Sequence, residues 1–243
     1  MERKLFLKQG FAALGISFIA PLANSCKKND VTTDTGSEGE VTNTGESSSE
    51  TCTVAPTETE GPFPTKNPSA YERSDITDGR SGYKLTVNIT VGQVSKSCAA
   101  LAGAIVDIWH CDAEGNYSEY GGTQMQSTNY TSVHFLRGRQ TTDSNGLVTF
   151  TTIFPGWYQS RATHIHVHIY NASGTSLKVT QIAFPEGSGT ALAAVNGYSK
   201  GMNGYTYNAN DNVFSDDKDG VQIATVTGST TSGFSLAIQL NVP

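Results

Sequence analysis

The sequence is poor in charged residues, in cysteine and in long apolar runs. Asp, Glu, Lys and Arg make up 16% of the 243 residues, against roughly 25% in an average soluble domain. Lys and Arg number 16 against 22 acidic residues. This balance argues against nucleic-acid binding, because contacts to phosphates need clustered cations. Four cysteines are too few for a disulfide-built mini-protein, and the composition is not that of a coiled coil.

The first 25 residues have the features of an export signal. Three basic residues within the first eight precede an apolar stretch over 11–23, which is shorter than the about 20 residues that span a bilayer. Small residues then lead directly to Cys26. We therefore predict a bacterial lipoprotein signal peptide over 1–25, with Cys26 as the lipidated first residue of the mature chain. The alternative is an ordinary signal peptide followed by an incidental cysteine.

Two further features bear on export. Residues 3–8 (RKLFLK) resemble a twin-arginine signal, which would carry the protein across the membrane already folded. Residues 26–51 consist almost entirely of small and polar side chains and contain no aromatic residue, so we predict a flexible spacer there. A lipid anchor followed by a spacer predicts a cell-envelope protein, in the periplasm or on the outer-membrane surface, that contacts the membrane only through its lipid.

Beyond the spacer, short runs rich in Val, Ile, Thr and aromatic residues alternate with turn residues. Residues 83–91 alternate between apolar and polar side chains, as a half-buried strand does. Similar runs occupy 104–109, 147–153, 163–170, 177–184, 221–226 and 234–242. Residues 191–195 are long enough for one turn of helix. We predict that residues 52–243 form one all-β domain, an antiparallel β-sandwich with long loops and little helix.

The cysteines suggest one disulfide in this domain. Cys52 opens the domain and Cys98 follows its first strong strand. In an exported protein we expect a bridge between them. Cys111 would then be a buried free thiol, although pairing of Cys111 with either of the other two stays open from the sequence alone.

Histidine is concentrated in one predicted strand, which contains His164, His166 and His168 of the five in the chain. Alternate residues of a strand share a face, so the first two point the same way and can bind one metal ion. The alternative is the polar face of an exposed strand. Two turn-rich segments upstream contain Tyr117 and Tyr158. As phenolates, these oxygens suit hard ferric iron better than zinc.

Together, these motifs resemble those of the intradiol ring-cleaving dioxygenases, the family of protocatechuate 3,4-dioxygenase and catechol 1,2-dioxygenase. The resemblance runs from about Thr59 to the C-terminus. It is carried by the spaced residues of 103–117, by 135–138 and 142–146, and by 155–166. Family members bind one non-haem Fe(III) through two tyrosinates and two histidines. Carried over by position, these ligands are Tyr117, Tyr158, His164 and His166.

The resemblance also implies roles around the iron. Arg161 matches the arginine beside the substrate ring, Gln181 matches a glutamine of the same pocket, and Tyr158 would be released to act as a base. Pocket-lining positions fall on Thr59, Gly61, Pro62 and Trp109. His168 has no ligand role in the family, and we interpret it as structural.

The implied activity is oxidative ring cleavage. The resemblance predicts an enzyme that cuts a catechol-type aromatic diol between its two hydroxyls with both atoms of O2, giving a muconate-type diacid. Its partners would be the small diol and O2. The sequence leaves the particular diol and the oligomeric state open. Two alternatives are a non-catalytic β-sandwich binding module on a lipoprotein stalk, and a copper or zinc site on the His-x-His strand.

Overall fold

A computed structural model describes residues 52–243 of the chain. The predicted signal peptide (1–25), the predicted lipidation site Cys26 and the predicted spacer (26–51) lie outside the described residues. Within the described part, no helix combines the length and the hydropathy needed to cross a bilayer.

Residues 52–243 contain nine strands and one short α-helix, which confirms the predicted all-β class. The strands are β1 (Lys84–Gln93), β2 (Ala99–Ala100), β3 (Ile105–Trp109), β4 (Arg137–Thr141), β5 (Leu147–Ile153), β6 (His164–Tyr170), β7 (Ser176–Ala183), β8 (Thr225–Ser229) and β9 (Gly233–Val242). Helix α1 spans Ala191–Val195, as its sequence predicted. Single 3₁₀ turns lie at Pro68–Ala70, Val94–Lys96, Tyr198–Lys200 and Asn208–Asn210.

The strands form two sheets. The five-stranded sheet has the order β2-β1-β9-β8, with β5 also paired to β1, and the four-stranded sheet has the order β4-β3-β6-β7. The pairings between these strands are antiparallel with one departure from the prediction, because β9 runs parallel to β1. The last strand therefore returns beside the first in the same direction, with the rest of the domain forming the connection between them.

The hydrophobic core lies between the two sheets. Leu85 and Val87 of β1 and Ile165 and Val167 of β6 are all fully buried and belong to one cluster. Burying each such side chain contributes about 1.5–3 kcal/mol. Because side chains alternate along a strand, the other residues of β6 point away from this core, onto the outer face of the four-stranded sheet.

Two strand predictions need correction. β4 (Arg137–Thr141) was not expected, because its sequence lacks apolar alternation; its Arg139 pairs instead with Asp107 of β3, at 2.6 and 2.7 Å. The strand expected over 221–226 lies instead at Thr225–Ser229. The carboxylate of Asp217 accepts the backbone N–H groups at positions 221 and 222, and these bonds hold the start of the expected strand in a turn.

An N-terminal segment, residues 52–66, starts beside β9 of the five-stranded sheet and then crosses the outer face of the four-stranded sheet. It is fixed at its start by a disulfide between Cys52 and Cys98, with a Cα–Cα distance of 5.6 Å. Farther along, the N–H of Glu58 donates to the carbonyl of Val179 on β7 at 2.9 Å. Among the described cysteines, Cys111 is free and buried. The segment thus brings Thr59 and its neighbours over β6.

Candidate metal centre

Two histidines of β6 lie on the covered outer face of the four-stranded sheet. His164 and His166 are only 2% and 3% exposed. Across the sheet, His166 pairs with Trp109 on β3 and with Gln181 on β7. The indole of Trp109 stacks parallel to the His166 ring, with centroids 4.9 Å apart. The strand register therefore fixes the plane of this imidazole.

Tyr117 reaches the two histidines from the long loop between β3 and β4. Gln126 holds it in place, since its Oε1 accepts the Tyr117 N–H at 2.6 Å and its Nε2 donates to the Tyr117 carbonyl at 2.8 Å. The phenol ring stacks on Phe63 of the N-terminal segment at 4.9 Å. Tyr117 is 2% exposed, so its side chain is almost entirely enclosed by protein.

Three donor atoms converge in this site. The Tyr117 hydroxyl lies 3.1 Å from Nε2 of His164 and 3.4 Å from Nε2 of His166, and the two Nε2 atoms lie 3.1 Å apart. Nδ1 of His164 is 2.6 Å from the carbonyl of Ala162, to which it donates, so its Nε2 carries a lone pair. Nδ1 of His166 has no partner among residues 52–243. A cation bound between these three atoms would contact a lone pair on each of them.

Burial sets the protonation state of these groups. It lowers the pKa of His164 to about 3, aided by the Arg161 cation, and lowers the pKa of His166 well below its usual value. Both imidazoles are therefore neutral near pH 7 and able to bind a metal. Burial also raises the pKa of Tyr117 well above its usual value. Its phenol would lose the proton only to a strongly polarising cation.

A cavity of about 530 Å³ opens beside these atoms. Tyr158, in the loop between β5 and β6, forms part of its wall, with its ring 6.2 Å from that of Tyr117 and 5.6 Å from that of Phe63. Tyr158 is half-buried, and this burial raises its pKa. Three of the four predicted ligands thus converge, while Tyr158 lines the cavity beside them without joining their hydrogen-bonded cluster.

Arg161 provides a cation in the cavity wall. Its Nε donates to Oδ2 of Asp211 at 2.9 Å and one terminal N–H group donates to Oε1 of Gln181 at 2.7 Å. Gln181 is fully buried and donates its own amide to the carbonyl of Thr59 at 2.9 Å. Gln181 therefore lies behind Arg161 and is not among the residues that line the cavity.

Of the four predicted pocket residues, three line the cavity and one does not. Thr59, Gly61 and Pro62 line the cavity. Gly61 has a φ of +69°, and a Cβ there would lie 3.0 Å from the His166 ring, so only glycine fits without strain. Trp109 does not line the cavity, because the β3–β6 register places it flat beside His166.

Several residues of the site carried no signal of their own in the sequence. Beyond the predicted pocket residues, the cavity wall includes Met125, Asn212 and Val213. Asp211 reaches Arg161 from 50 residues away. Such contacts come from the path of long loops, which local periodicity does not encode. His168 is half-buried and bonded to Glu60, Ser176 and Tyr170, consistent with a structural role.

The donor set fits ferric iron. No group of three or more His, Cys, Asp or Glu side chains that could hold a metal occurs among residues 52–243. The third donor beside His164 and His166 is instead the phenol of Tyr117. Zinc most often takes Cys, His or carboxylate ligands, whereas a hard phenolate oxygen suits Fe(III). The chemistry of these residues therefore favours iron over the copper or zinc alternative.

Comparison with known proteins agrees with this arrangement. The sequence model of a family described as Dioxygenase matches residues 59–195, more than half of the chain. An intradiol ring-cleavage dioxygenase from Tetranychus urticae is 29% identical, with a TM-score of 0.68 over 79% of this chain and 95% of that one.

Two more distant structures share the fold. The dioxygenase domain of a carbohydrate-binding fusion protein from Streptomyces sp. SirexAA-E is 24% identical, with a TM-score of 0.55 over 78% of this chain and 97% of that one. Catechol 1,2-dioxygenase from Pseudomonas arvilla C-1 is 20% identical, with a TM-score of 0.54 over 77% and 62%. The family match and the Tetranychus structure show that the chain belongs to the intradiol ring-cleavage dioxygenases.

Proposed function

We propose that this protein cleaves a catechol-type aromatic diol between its two hydroxyls with O2, giving a muconate-type diacid. The proposal names one non-haem Fe(III) per chain as the cofactor, held by Tyr117, Tyr158, His164 and His166. The observation that carries it is the convergence of one phenol oxygen and two imidazole nitrogens within 3.1–3.4 Å of one another, beside a cavity.

When bound, ferric iron acts as a Lewis acid that withdraws electron density from a chelated diol and makes its ring reactive toward O2. The protein's own part begins with the ligands. His164 is held with Nε2 toward the site by its bond to the Ala162 carbonyl, and His166 is held by the stacked Trp109. Binding the metal needs little rearrangement, because these rings are already oriented.

The cavity walls supply charge and a proton acceptor. A diol must lose its hydroxyl protons before both oxygens bind a metal as anions. Tyr158 lies in the cavity wall and, as the phenolate it would be when it holds the metal, is the group we assign to accept one of these protons. Arg161 lies in the same wall and remains a cation, so it stabilises negative charge on the bound ring.

Oxygen consumption with product analysis tests this function. The iron-loaded protein should consume one O2 per catechol and form cis,cis-muconate, identified by its ultraviolet absorption and mass. His164→Ala should abolish both, while His168→Ala, on the same strand outside the cluster, should retain activity. A yellow semialdehyde from cleavage beside the hydroxyls, or no O2 uptake with any diol, would contradict the proposal.

The proposal also includes a location, the cell envelope, with the domain tethered through a lipid on Cys26. Its support is the export-signal pattern of residues 1–25 and the Cys52–Cys98 disulfide, since such bonds persist in oxidising compartments. Palmitate labelling in a bacterial host is the test. The wild-type protein should be labelled and membrane-bound, and Cys26→Ser should be neither; equal labelling of both would overturn this location.

A further inference from the structure

A buried carboxylate lies behind the cavity, in the loop between β7 and β8. Asp211 is fully buried. Its Oδ2 accepts the Nε–H of Arg161 at 2.9 Å and the backbone N–H of Ala162 at 2.7 Å, and its Oδ1 accepts the N–H of Val213 at 2.8 Å. Both oxygens are therefore directed at parts of the site. Asp211 lies beyond residues 59–195, the part of the chain that the family match covers.

Arg161 is fixed at two points by these contacts. Asp211 takes its Nε–H, and Gln181 takes one terminal N–H at 2.7 Å. A guanidinium has five N–H donors in a rigid plane, so two such bonds determine the direction of the others. The remaining donors are left for a ligand in the cavity that Arg161 lines.

The same carboxylate supports His164 through the backbone. The Ala162 N–H donates to Asp211, and the Ala162 carbonyl accepts the Nδ1–H of His164 at 2.6 Å. One peptide unit on each side of Ala162 is therefore held between Asp211 and an imidazole of the metal centre. Burial acts to raise the pKa of Asp211, but its hydrogen bonds with Arg161 and the two N–H groups lower it overall, so the group is ionised in the folded protein.

We propose that Asp211 is a positioning residue for ring cleavage, which holds the Arg161 guanidinium in the orientation that meets the anionic diol. This inference rests on the proposed function. A carboxylate is needed because each of its two oxygens accepts at least one N–H hydrogen bond. An asparagine has one accepting oxygen and cannot hold Arg161, Ala162 and Val213 together, and in either orientation it loses the negative charge that strengthens the bond from the Arg161 cation.

Kinetics of matched variants provide the first test. Asp211→Asn should lower kcat/KM for catechol by roughly 10- to 100-fold, as losses of supporting hydrogen bonds at metal sites do. Asp217→Asn is the control, since Asp217 lies in the same loop and accepts two backbone N–H bonds from positions 221 and 222. It should keep the wild-type kcat/KM. Equal effects of the two substitutions would reduce Asp211 to a loop-stabilising role and overturn the proposal.

A double-mutant cycle separates positioning from general stabilisation. If Asp211 acts through Arg161, the double variant Arg161→Ala/Asp211→Asn should be no slower than Arg161→Ala alone. Multiplied losses would show that Asp211 acts by another route and would contradict the inference. Should Asp211→Asn fail to fold, Arg161→Lys tests the same pair, since lysine keeps the charge but cannot span Asp211 and Gln181. It should then show a comparable loss, and wild-type kinetics would overturn the proposal.

A readout without turnover distinguishes failure of this inference from failure of the proposed function. In the metal-free protein, NMR should show a slowly exchanging Nε–H signal from Arg161, assigned by its loss in Arg161→Lys. Its exchange should speed up in Asp211→Asn and not in Asp217→Asn. This response in a protein that cleaves no diol would contradict the function alone. Normal catalysis with unchanged exchange in Asp211→Asn would contradict the positioning role alone.

Discussion

Strands β1 and β6 face each other across the core but differ on their outer sides. Each places alternate aliphatic side chains in the shared core, as Val87 and Val167 show. On its outer side, β1 carries half-exposed Thr86 and Asn88. On its outer side, β6 carries His164 and His166, which are buried. Three of the five histidines of the chain lie on β6, His110 directly follows β3, and His134 lies three residues before β4.

The difference comes from what covers each sheet. The N-terminal segment and the loop carrying Tyr117 close over β6, whereas the outer side chains of β1 remain partly in contact with water. Burial beneath these segments lowers the pKa of the His164 and His166 imidazoles and raises the pKa of the Tyr117 phenol. The same strand pattern therefore produces an ordinary polar face on one sheet and, on the other, a buried face where imidazole nitrogens meet a phenol oxygen.

The substitution with the largest expected effect lies on the outer side of β6. His166→Ala removes a converging nitrogen, so we expect loss of bound iron and of ring cleavage. Asn88→Ala changes the equivalent outer face of β1 and should leave both unchanged. Metal analysis and O2 uptake of the two variants measure the contrast. Iron retained at wild-type levels in His166→Ala would remove this residue from the ligand set.

Loss of the disulfide should separate stability from chemistry. The Cys52–Cys98 bridge joins residues 46 apart in sequence and ends beside β1 and β2, far along the chain from the His strand. Cys52→Ser should lower the free energy of unfolding by roughly 3–4 kcal/mol. The folded fraction should keep its iron and activity. Urea unfolding of the variant and of reduced wild-type protein should agree, and an unchanged midpoint in both would contradict the prediction.

Lowering the pH should decrease the free energy of unfolding by a smaller amount, through a buried histidine beside the four-stranded sheet. Burial lowers the pKa of His110, beside β3, to about 4. The unfolded chain binds this proton below about pH 6.5, so stability is complete above that pH and falls as pH drops toward 4. One such imidazole contributes about 1.4 kcal/mol per pH unit in this window. Urea unfolding of the metal-free protein between pH 7 and 5 should show a slope to which the buried His164 and His166 also contribute. His110→Asn should reduce that slope by about the amount due to one imidazole.

Local pattern predicted the strands where burial follows alternation. The run over 147–153 became β5 with the same bounds. β4 was missed because its polar residues bond to partners elsewhere: the half-buried Arg139 to Asp107, and the buried Arg137 to the carbonyl groups of Phe63 and Ser118. Pairing of this kind is a property of the fold and leaves no periodicity in the sequence.

The site residues that are close in sequence could be predicted from strand geometry, and those brought together by long loops could not. His164 and His166 share a face by strand geometry alone, whereas Tyr117 was identified only through the family resemblance. Trp109 was expected in the pocket wall, but the register of β3 places it beside His166. Asp211 had no signal, since its role depends on a loop returning across 50 residues.

The visible spectrum of the iron-loaded protein tests the central claim most directly, with iron analysis and anaerobic addition of catechol. One iron per chain with a broad tyrosinate-to-Fe(III) band, shifting to longer wavelength with catechol, is the predicted result. Tyr117→Phe should alter the band, and Tyr170→Phe, a phenol at the far end of β6, should not. A protein that stays colourless and iron-free after reconstitution would contradict the assignment of a ferric centre to the outer face of the four-stranded sheet.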